Sequence, residues 1–217
     1  MTKKPKVTAI IAAAGTSMRM GFPKLLHNIT TDKSVLSLSI ESICKNNLVD
    51  NLVLVTKKEF FDFAKAECEK YCFNKPYLIV EGASTRQESI KNGVLASPED
   101  TDFFAVHDGA RPFVTDEEIT AVITDAFKYG ACILAVPVKD TIKVVSDGVI
   151  VSTPKRETLF SAYTPQVFSA DIYKKALSQQ NLSNFTDDAS IVESIGKKVH
   201  ITLGKYSNKK ITTVEDL

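Results

Sequence analysis

The chain of 217 residues is 44% hydrophobic and 24% charged, which is typical of a soluble globular protein with a sizeable core. A formal net charge of +1 gives no indication of the basic footprint of a nucleic-acid-binding protein, so any polyanion must be held by local charges. No apolar run approaches the ~20 residues of a membrane-spanning helix. We therefore expect one domain over residues 1–217, with neither nucleic-acid nor membrane partners.

Apolar runs and helical patterns alternate along the first two thirds of the chain. Continuously apolar runs such as VTAIIAA predict strands covered on both faces. The segments between them have apolar residues at helical spacing. The predicted strands are residues 7–13, 51–56, 77–80, 103–108 and 131–138, and the predicted helices are residues 34–46, 58–71, 84–95 and 115–130.

Capping signals mark the ends of two of these helices. The helix after the third strand opens at a capping box, formed either by Ser84 and Gln87 or by the next pair along the chain, Thr85 and Glu88. A second box opens at Thr115, and its helix stops at a glycine. The alternation predicts an α/β, Rossmann-like fold: a mostly parallel twisted sheet with helices on both faces.

The alternation breaks at about residue 138. The segment DTIKVVSDGVIVSTPKR alternates apolar and polar residues around Asp147 and Gly148, which is a strong signal for a β-hairpin. A two-stranded ribbon is marginally stable alone in water. We expect a protruding arm at residues 138–156 that packs on a second copy of the chain, giving a homodimer.

The loop after the first strand is a candidate phosphate site. In IIAAAGTSMRMGFPKLL, Gly15 allows a sharp turn, and Arg19 and Lys24 supply positive charge beside it. Neither the Walker spacing nor G-x-G-x-x-G is present. The spacing alone supports equally a solvated loop with two incidental cations.

A second candidate is HDGARP, residues 107–112, at the end of the fourth strand. Asp108 is placed to hold a hard cation such as Mg²⁺, because ligands of such sheets bind beyond the carboxyl ends of the strands. The alternative is that Asp108 caps a turn and pairs with Arg111. We interpret His107 as an oriented structural residue rather than a base.

Acidic and basic residues late in the chain leave two interpretations open. In NFTDDASIVE, Thr186 is the expected helix cap, and the two following aspartates are more typical of helix-dipole partners than of catalysts. Lys209 and Lys210 are either functional or simply solvated.

The four cysteines indicate reduced, buried thiols and a cytoplasmic protein. Cys68 and Cys72 lie four residues apart on a predicted helix, but neither a second pair nor a nearby histidine completes a metal site.

Taken together in chain order, these motifs carry a resemblance. The series AAAG, GxxxRQxS, HDGARP, PVKDTIK, TPQ.F, TDDAS and EDL, spanning Val7 to Leu217, resembles the 2-C-methyl-D-erythritol 4-phosphate cytidylyltransferases. It also resembles their close relatives, the ribitol-5-phosphate cytidylyltransferases. The resemblance implies transfer of CMP from CTP to a polyol phosphate with release of pyrophosphate, assisted by Mg²⁺ or another divalent cation.

The resemblance also implies roles for individual residues. Arg19, Lys24 and Lys210 would be catalytic cations, and Asp108 the metal ligand. The nucleotide site would include Ala13, Ala14, Gly15, Gly82, Ala83, Ser84 and Ser89. The sugar-phosphate site would include Arg111, Thr141, Arg156, Thr164 and Thr186. In this family the arm crosses to a partner subunit, which leaves open whose site Thr141 and Arg156 serve.

Two departures from the family pattern bear on function. Ala83 stands where a second glycine is usual, so its methyl group is expected to crowd the base pocket, and Ser17 replaces a common glycine. The short first loop favours methylerythritol phosphate over ribitol phosphate as acceptor. A non-catalytic nucleotide-binding homologue is a further alternative.

Overall fold

The body of the protein is a seven-stranded sheet between two layers of helices. The computed structural model describes residues 4–15 and 21–216. The strands are β1 Val7–Ala12, β2 Asn51–Thr56, β3 Tyr77–Glu81, β4 Phe103–Asp108, β5 Ala131–Pro137, β6 Val144–Ser146, β7 Val149–Ser152, β8 Phe160–Ser169 and β9 His200–Leu203. The helices are α1 Val35–Lys45, α2 Phe61–Tyr71, α3 Arg86–Ala96, α4 Asp116–Tyr129, α5 Ala170–Leu177 and α6 Asp188–Ser194.

The strand order in the main sheet is β3-β2-β1-β4-β8-β5-β9. All neighbours pair in parallel except β8, which runs antiparallel to both β4 and β5. The prediction of a mostly parallel sheet with helices on both faces is therefore confirmed. Sequence patterns did not identify β8 or β9.

Each face of the sheet has its own apolar core. Neighbouring residues of β1 point in opposite directions, so Ile11 joins a cluster with α1, α2 and α4, while Ile10 joins one with α3, α5 and α6. Both side chains are fully buried. Burial on both faces explains why this strand reads as an unbroken apolar run.

Local capping fixes where two of the helices start. The Thr85 hydroxyl accepts a hydrogen bond from the Glu88 backbone N–H at 3.1 Å, so Thr85 rather than Ser84 caps α3. The predicted box does not close, because the Glu88 carboxylate accepts from the Thr85 hydroxyl instead of from the Thr85 N–H. The predicted Thr115 capping box opens α4, and Gly130 ends it in a left-handed conformation, with φ at +82°. Among the described helices, none combines the length and apolar character needed to cross a bilayer.

The predicted cap of α6 was wrong by one residue. Asp187, not Thr186, accepts a hydrogen bond from the Ser190 backbone N–H at 3.0 Å, and the Asp187 N–H donates to the Ser190 hydroxyl at 3.4 Å. A carboxylate satisfies the free N–H groups of a first turn at least as well as a hydroxyl. Asp188 consequently becomes the first residue of the helix and is fully buried.

The hairpin prediction is confirmed in the β6–β7 ribbon. Asp147 and Gly148 have φ values of +49° and +77°, as a tight hairpin turn requires. The apolar side chains of the ribbon face solvent: Val149 is 67% exposed and Ile150 is 59% exposed. Within the described residues of the chain, the arm thus leaves an apolar surface uncovered.

Candidate active site

A cavity of about 730 Å³ opens at the carboxyl ends of β1, β3 and β4. The loop after β1 contributes Gly15, the loop after β3 contributes Gly82, and β4 ends in Asp108, which also lines the cavity. The location is the one expected for a ligand site in an open α/β sheet. Three lysines border the same cavity: Lys24, Lys57 and Lys210.

The loops after β1 and β3 pack tightly against each other. A methyl group added at Gly82 would lie 2.3 Å from the Ala14 Cβ, a separation that no side chain can adopt without movement. The buried Ser89 hydroxyl accepts from the Ala83 N–H at 2.9 Å and donates to the Thr85 carbonyl at 2.7 Å. Ser89 therefore shapes the loop that borders the cavity.

Most of the predicted nucleotide-site residues meet at this cavity. The exception is Ala13, which lies behind it: its N–H donates to the Val55 carbonyl, and its own carbonyl accepts from the Thr56 hydroxyl. The members that line the cavity are Ala14, Gly15, Gly82, Ala83, Ser84 and Ser89.

Asp108 gathers three cationic side chains. Its Oδ1 lies 3.1 Å from Arg86 Nε, and its Oδ2 lies 2.8 Å from Lys210 Nζ and 3.8 Å from Arg111 Nε. Burial opposes ionisation of this carboxyl group, but the charges of Arg86 and Lys210 outweigh it and hold the Asp108 pKa well below its ordinary value. Asp108 is therefore an anion at neutral pH.

Arg86 was not predicted as a site residue, yet it borders the cavity and connects two carboxylates. Besides Asp108, it contacts the buried Asp188, with 2.8 Å between Arg86 Nη2 and Asp188 Oδ2. The Tyr173 hydroxyl donates to Asp188 Oδ1 at 2.5 Å. The only signal in the sequence was the pair of motifs RQxS and TDDAS, whose spatial proximity no local pattern reveals.

His107 and Thr164 fix the backbone beneath Asp108. The Thr164 hydroxyl accepts from the Asp108 N–H at 3.1 Å, so it donates its own proton to His107 Nδ1 at 3.0 Å. His107 Nε2 then donates to the Arg111 carbonyl at 3.1 Å. Burial lowers the pKa of His107 to about 4, so the ring is neutral. This geometry agrees with a structural role for His107.

Arg111 lies behind the cavity, where it anchors the C-terminal segment, residues 208–211. Its guanidinium donates to the Asn208 carbonyl at 2.8 Å and stacks 4.2 Å from the Tyr163 ring centre. It is nearly buried, and this burial lowers its pKa. Most of its donors thus face protein groups rather than the cavity.

The same C-terminal segment brings Lys210 and Lys24 together. The N–H of the buried Ile211 donates to the Ala110 carbonyl at 2.8 Å, and the Ile211 carbonyl accepts from Lys24 Nζ at 2.8 Å. Lys210 pairs with Asp108, so it is not a simply solvated lysine. Arg19, the third predicted catalytic cation, lies outside the described residues.

Comparison with known proteins identifies the family of this chain. The family model described as 2-C-methyl-D-erythritol 4-phosphate cytidylyltransferase matches residues 7–217. The chain belongs to this family. Relatives of that name from Bacillus thuringiensis (strain Al Hakam) and Caldanaerobacter subterraneus subsp. tengcongensis are 40% and 41% identical, each over 97% of this chain and over 94% and 95% of the relative.

A solved structure supports the same assignment. The 4-diphosphocytidyl-2C-methyl-D-erythritol synthase from Anaerococcus prevotii DSM 20548 superposes with a TM-score of 0.87 at 30% identity, covering 99% of this chain and 95% of that chain. The family resemblance and the predicted fold class are therefore confirmed. The ribitol-5-phosphate alternative is not favoured, because these relatives carry the methylerythritol name.

Three predicted acceptor-site residues of this cytidylyltransferase lie away from the cavity in the described chain. Thr141 and Arg156 are exposed at the base of the arm, where an Arg156 guanidinium N–H donates to the Lys139 carbonyl at 3.1 Å. Thr186 is exposed just before α6. Thr164, by contrast, is buried beside Asp108, where its hydroxyl is already bonded on both sides.

The donor set of the cavity suits Mg²⁺ and a polyphosphate. Among the described residues that line it, Asp108 is the only acidic one, and the described chain holds no group of three or more potential metal ligands from His, Cys, Asp and Glu. Mg²⁺ commonly takes one or two carboxylates and completes its shell with water and substrate phosphates. Asp108 would supply the one carboxylate of that pattern.

Proposed function

We propose that the protein transfers CMP from CTP to 2-C-methyl-D-erythritol 4-phosphate and releases pyrophosphate, a step of isoprenoid precursor biosynthesis. The observation that carries this proposal is the convergence of Lys210 and Arg86 on one ionised carboxylate, Asp108, inside a cavity that Lys24 also borders. Family membership supports the nucleotide and the acceptor.

The reaction needs charge stabilisation more than proton transfer. A phosphate oxygen of the acceptor attacks the α-phosphorus of CTP in line, and the bond from that phosphorus to the pyrophosphate oxygen breaks. A phosphate monoester is already anionic near neutral pH, so no base is required. This agrees with His107, whose ring nitrogens are both engaged with protein groups.

Lys24 and Lys210 are the cations placed to stabilise the developing charge. Both border the cavity, and both are held through the same C-terminal segment. Fixed cations are effective here because they need no reorganisation as negative charge spreads over the phosphate oxygens. The loop position of Arg19 in the sequence supports a third such role, which stays a prediction.

Backbone groups and the metal complete the proposed nucleotide site. The loops at Ala14–Gly15 and Gly82–Ser84 would receive the cytidine, and Asp108 would hold Mg²⁺. When bound, the metal supplies neutralisation of the polyphosphate charge. The Ala83 N–H is already bonded to Ser89 Oγ, so recognition at this position would use other groups.

We further propose a homodimer built through the arm. The support is the row of exposed valines and isoleucines on β6 and β7, which nothing in the described protomer covers. Exposed apolar patches of this kind mark protein interfaces. Sedimentation velocity at micromolar concentration tests the dimer, and a monomer would contradict it.

Four buried, unbridged cysteines support the reducing cytoplasm as the location of the protein.

The acceptor assay tests the function directly. The protein is incubated with CTP, Mg²⁺ and either methylerythritol 4-phosphate or ribitol 5-phosphate, and pyrophosphate release is followed. We expect faster turnover with methylerythritol phosphate. Faster turnover with ribitol phosphate contradicts the proposed acceptor, and CTP binding without turnover on either acceptor indicates the non-catalytic homologue.

A further inference from the structure

We propose that Arg86 is a positioning residue, which holds the Asp108 carboxylate in its working orientation because it is itself tethered to Asp188 and Tyr173. This inference rests on the proposed function, since the orientation matters for the reaction in the cavity. It assigns a joint role to three side chains that come from α3, α6 and α5.

The bridge joins elements that are distant in sequence. Arg86 stands in the first turn of α3, Asp108 ends β4, and Asp188 begins α6. Arg86 uses Nε toward Asp108 and Nη2 toward Asp188, at 3.1 and 2.8 Å. The planar fork of a guanidinium can serve two carboxylates at once, whereas a lysine ammonium lacks this fixed geometry.

Asp188 is a fixed anchor rather than a surface charge. It is fully buried, and a buried carboxylate is costly unless it is paired and hydrogen-bonded. Burial raises the pKa of Tyr173, and the neighbouring Asp188 charge raises it further. The Tyr173 hydroxyl therefore stays protonated and donates a hydrogen bond to Asp188 Oδ1. Arg86 provides the countercharge on the other oxygen.

The start of α6 is also held in place from the sheet. The Gln166 side chain on β8 accepts from the Ala189 N–H at 2.9 Å and donates to the Asp187 carboxylate at 3.0 Å. Asp188 lies between these two contacts. Its position is therefore set by the sheet, and Arg86 transmits that position to the cavity.

As a consequence, each carboxylate oxygen of Asp108 contacts a different cation. Arg86 holds Oδ1, which leaves Oδ2 toward Lys210. The backbone of Asp108 is fixed separately by Thr164. Loss of the tether would free the carboxylate to rotate, and misplacement of a site group by about 1 Å can cost ~10²-fold in rate.

The competing explanation is a purely structural ion pair. In that case substitutions would lower stability but leave the properties of the cavity unchanged. Four variants separate the two explanations: Arg86→Lys, Asp188→Asn, Tyr173→Phe and the double variant Arg86→Lys/Asp188→Asn. Lys91→Gln, on the same helix but outside the cavity lining, is the control for substitution of a cationic side chain of α3.

Two readouts are measured for each variant. The first is kcat at saturating CTP, acceptor and Mg²⁺. The second is the affinity for Mn²⁺ in the presence of CTP, followed by electron paramagnetic resonance, which does not depend on turnover. We expect Arg86→Lys and Asp188→Asn each to lower kcat by ~10-fold or more and to weaken Mn²⁺ binding, with the KM for CTP nearly unchanged.

The double variant and Tyr173→Phe provide two further tests. If the two residues act as one unit, the double variant should be little worse than the worse single variant. Tyr173→Phe keeps the ion pair and should shift kcat and Mn²⁺ affinity in the same direction by a smaller factor, which keeps the test readable if Asp188→Asn does not fold. Lys91→Gln should match the wild type.

Lower thermal stability with wild-type kcat and Mn²⁺ affinity would overturn the inference and leave a structural ion pair. Failure of the proposed function is a separate outcome. In that case the wild-type protein itself shows no pyrophosphate release with CTP and methylerythritol phosphate. The Mn²⁺ affinities of the variants can still be compared.

Discussion

Asp108 has both carboxylate oxygens engaged by cations in the described structure. Lys210 therefore has two possible partners during a reaction cycle: the carboxylate, which it contacts now, and a phosphate of the substrate. Lys24, in contrast, donates to the Ile211 backbone carbonyl and borders the cavity. The two lysines should thus respond differently to substitution.

Lys24→Ala should reduce turnover by ~10²-fold or more, the usual cost of removing a group that stabilises developing charge. The reason is its place at the cavity beside the proposed phosphate site. Turnover is measured by pyrophosphate release, with Lys58→Ala, an exposed lysine outside the cavity lining, as the control. Near-native turnover of the alanine variant would remove Lys24 from the mechanism.

His107 should make stability depend on pH. Burial lowers its folded-state pKa to about 4 from the ordinary 6.5. As pH falls below 6.5, the unfolded chain binds a proton that the folded protein refuses, so the free energy of unfolding decreases, and this loss is complete below pH 4. At about 1.4 kcal/mol per pKa unit, the loss from this group totals roughly 3 kcal/mol.

Urea unfolding between pH 4 and 7 measures the effect. His107→Gln lacks the titrating ring, so its free energy of unfolding should fall less steeply than that of the wild type over the same range. Parallel pH profiles for the two proteins would show that His107 does not control this dependence. The variant is expected to be less stable at pH 7, because it loses the hydrogen bond from Thr164.

At the scale of elements, the turn between β3 and α3 packs closely against the loop after β1. Gly82→Ala places a methyl group 2.3 Å from Ala14 Cβ and 3.1 Å from Ser89 Oγ. We expect a loss of about 1–3 kcal/mol in the free energy of unfolding, as for other overpacked sites. Urea denaturation provides the measurement.

Gly15→Ala is the control for this substitution. Nothing in the described part of the chain lies within 4 Å of a methyl group at that position. Its effect on stability should stay within about 0.5 kcal/mol, as at an ordinary surface site. Equal effects of the two alanines would mean that the close contact between the two loops does not contribute to stability.

The elements that the sequence predicts are those with strong local signals. Continuous apolar runs identify β1 to β5, capping residues identify the starts of α3 and α4, and Asp147–Gly148 identifies the arm. The missed strand, β8, contains Pro165 and mixes polar with apolar residues. Its pairing with β4 and β5 is a long-range property that no short window contains.

The same reasoning applies to the site. Gly15, Gly82 and Asp108 lie next to strand ends and line the cavity, since the carboxyl ends of parallel strands meet at one edge, and their functional roles stay predictions. The Arg86–Asp188 pair was missed because the two residues lie on different helices, far apart in sequence. Thr186 was mistaken for the cap of α6 because either it or Asp187 satisfies the local rule.

At the scale of the whole molecule, the arm separates Thr141 and Arg156 from the cavity of their own protomer. A symmetric dimer can place the arm of each protomer at the site of the other. Under the proposed function, Arg156 then acts in the partner's site. This arrangement makes a prediction that a monomeric site cannot reproduce.

Mixing two inactive variants tests whether the arm of one protomer acts in the site of its partner. Lys24→Ala disables the body of a protomer, and Arg156→Ala disables its arm. In a heterodimer with sites shared in trans, one site carries both defects and the other carries neither. Random reassociation of equal amounts should restore about a quarter of wild-type activity. If each arm serves its own protomer, every site keeps one defect, and the mixture stays as inactive as its components.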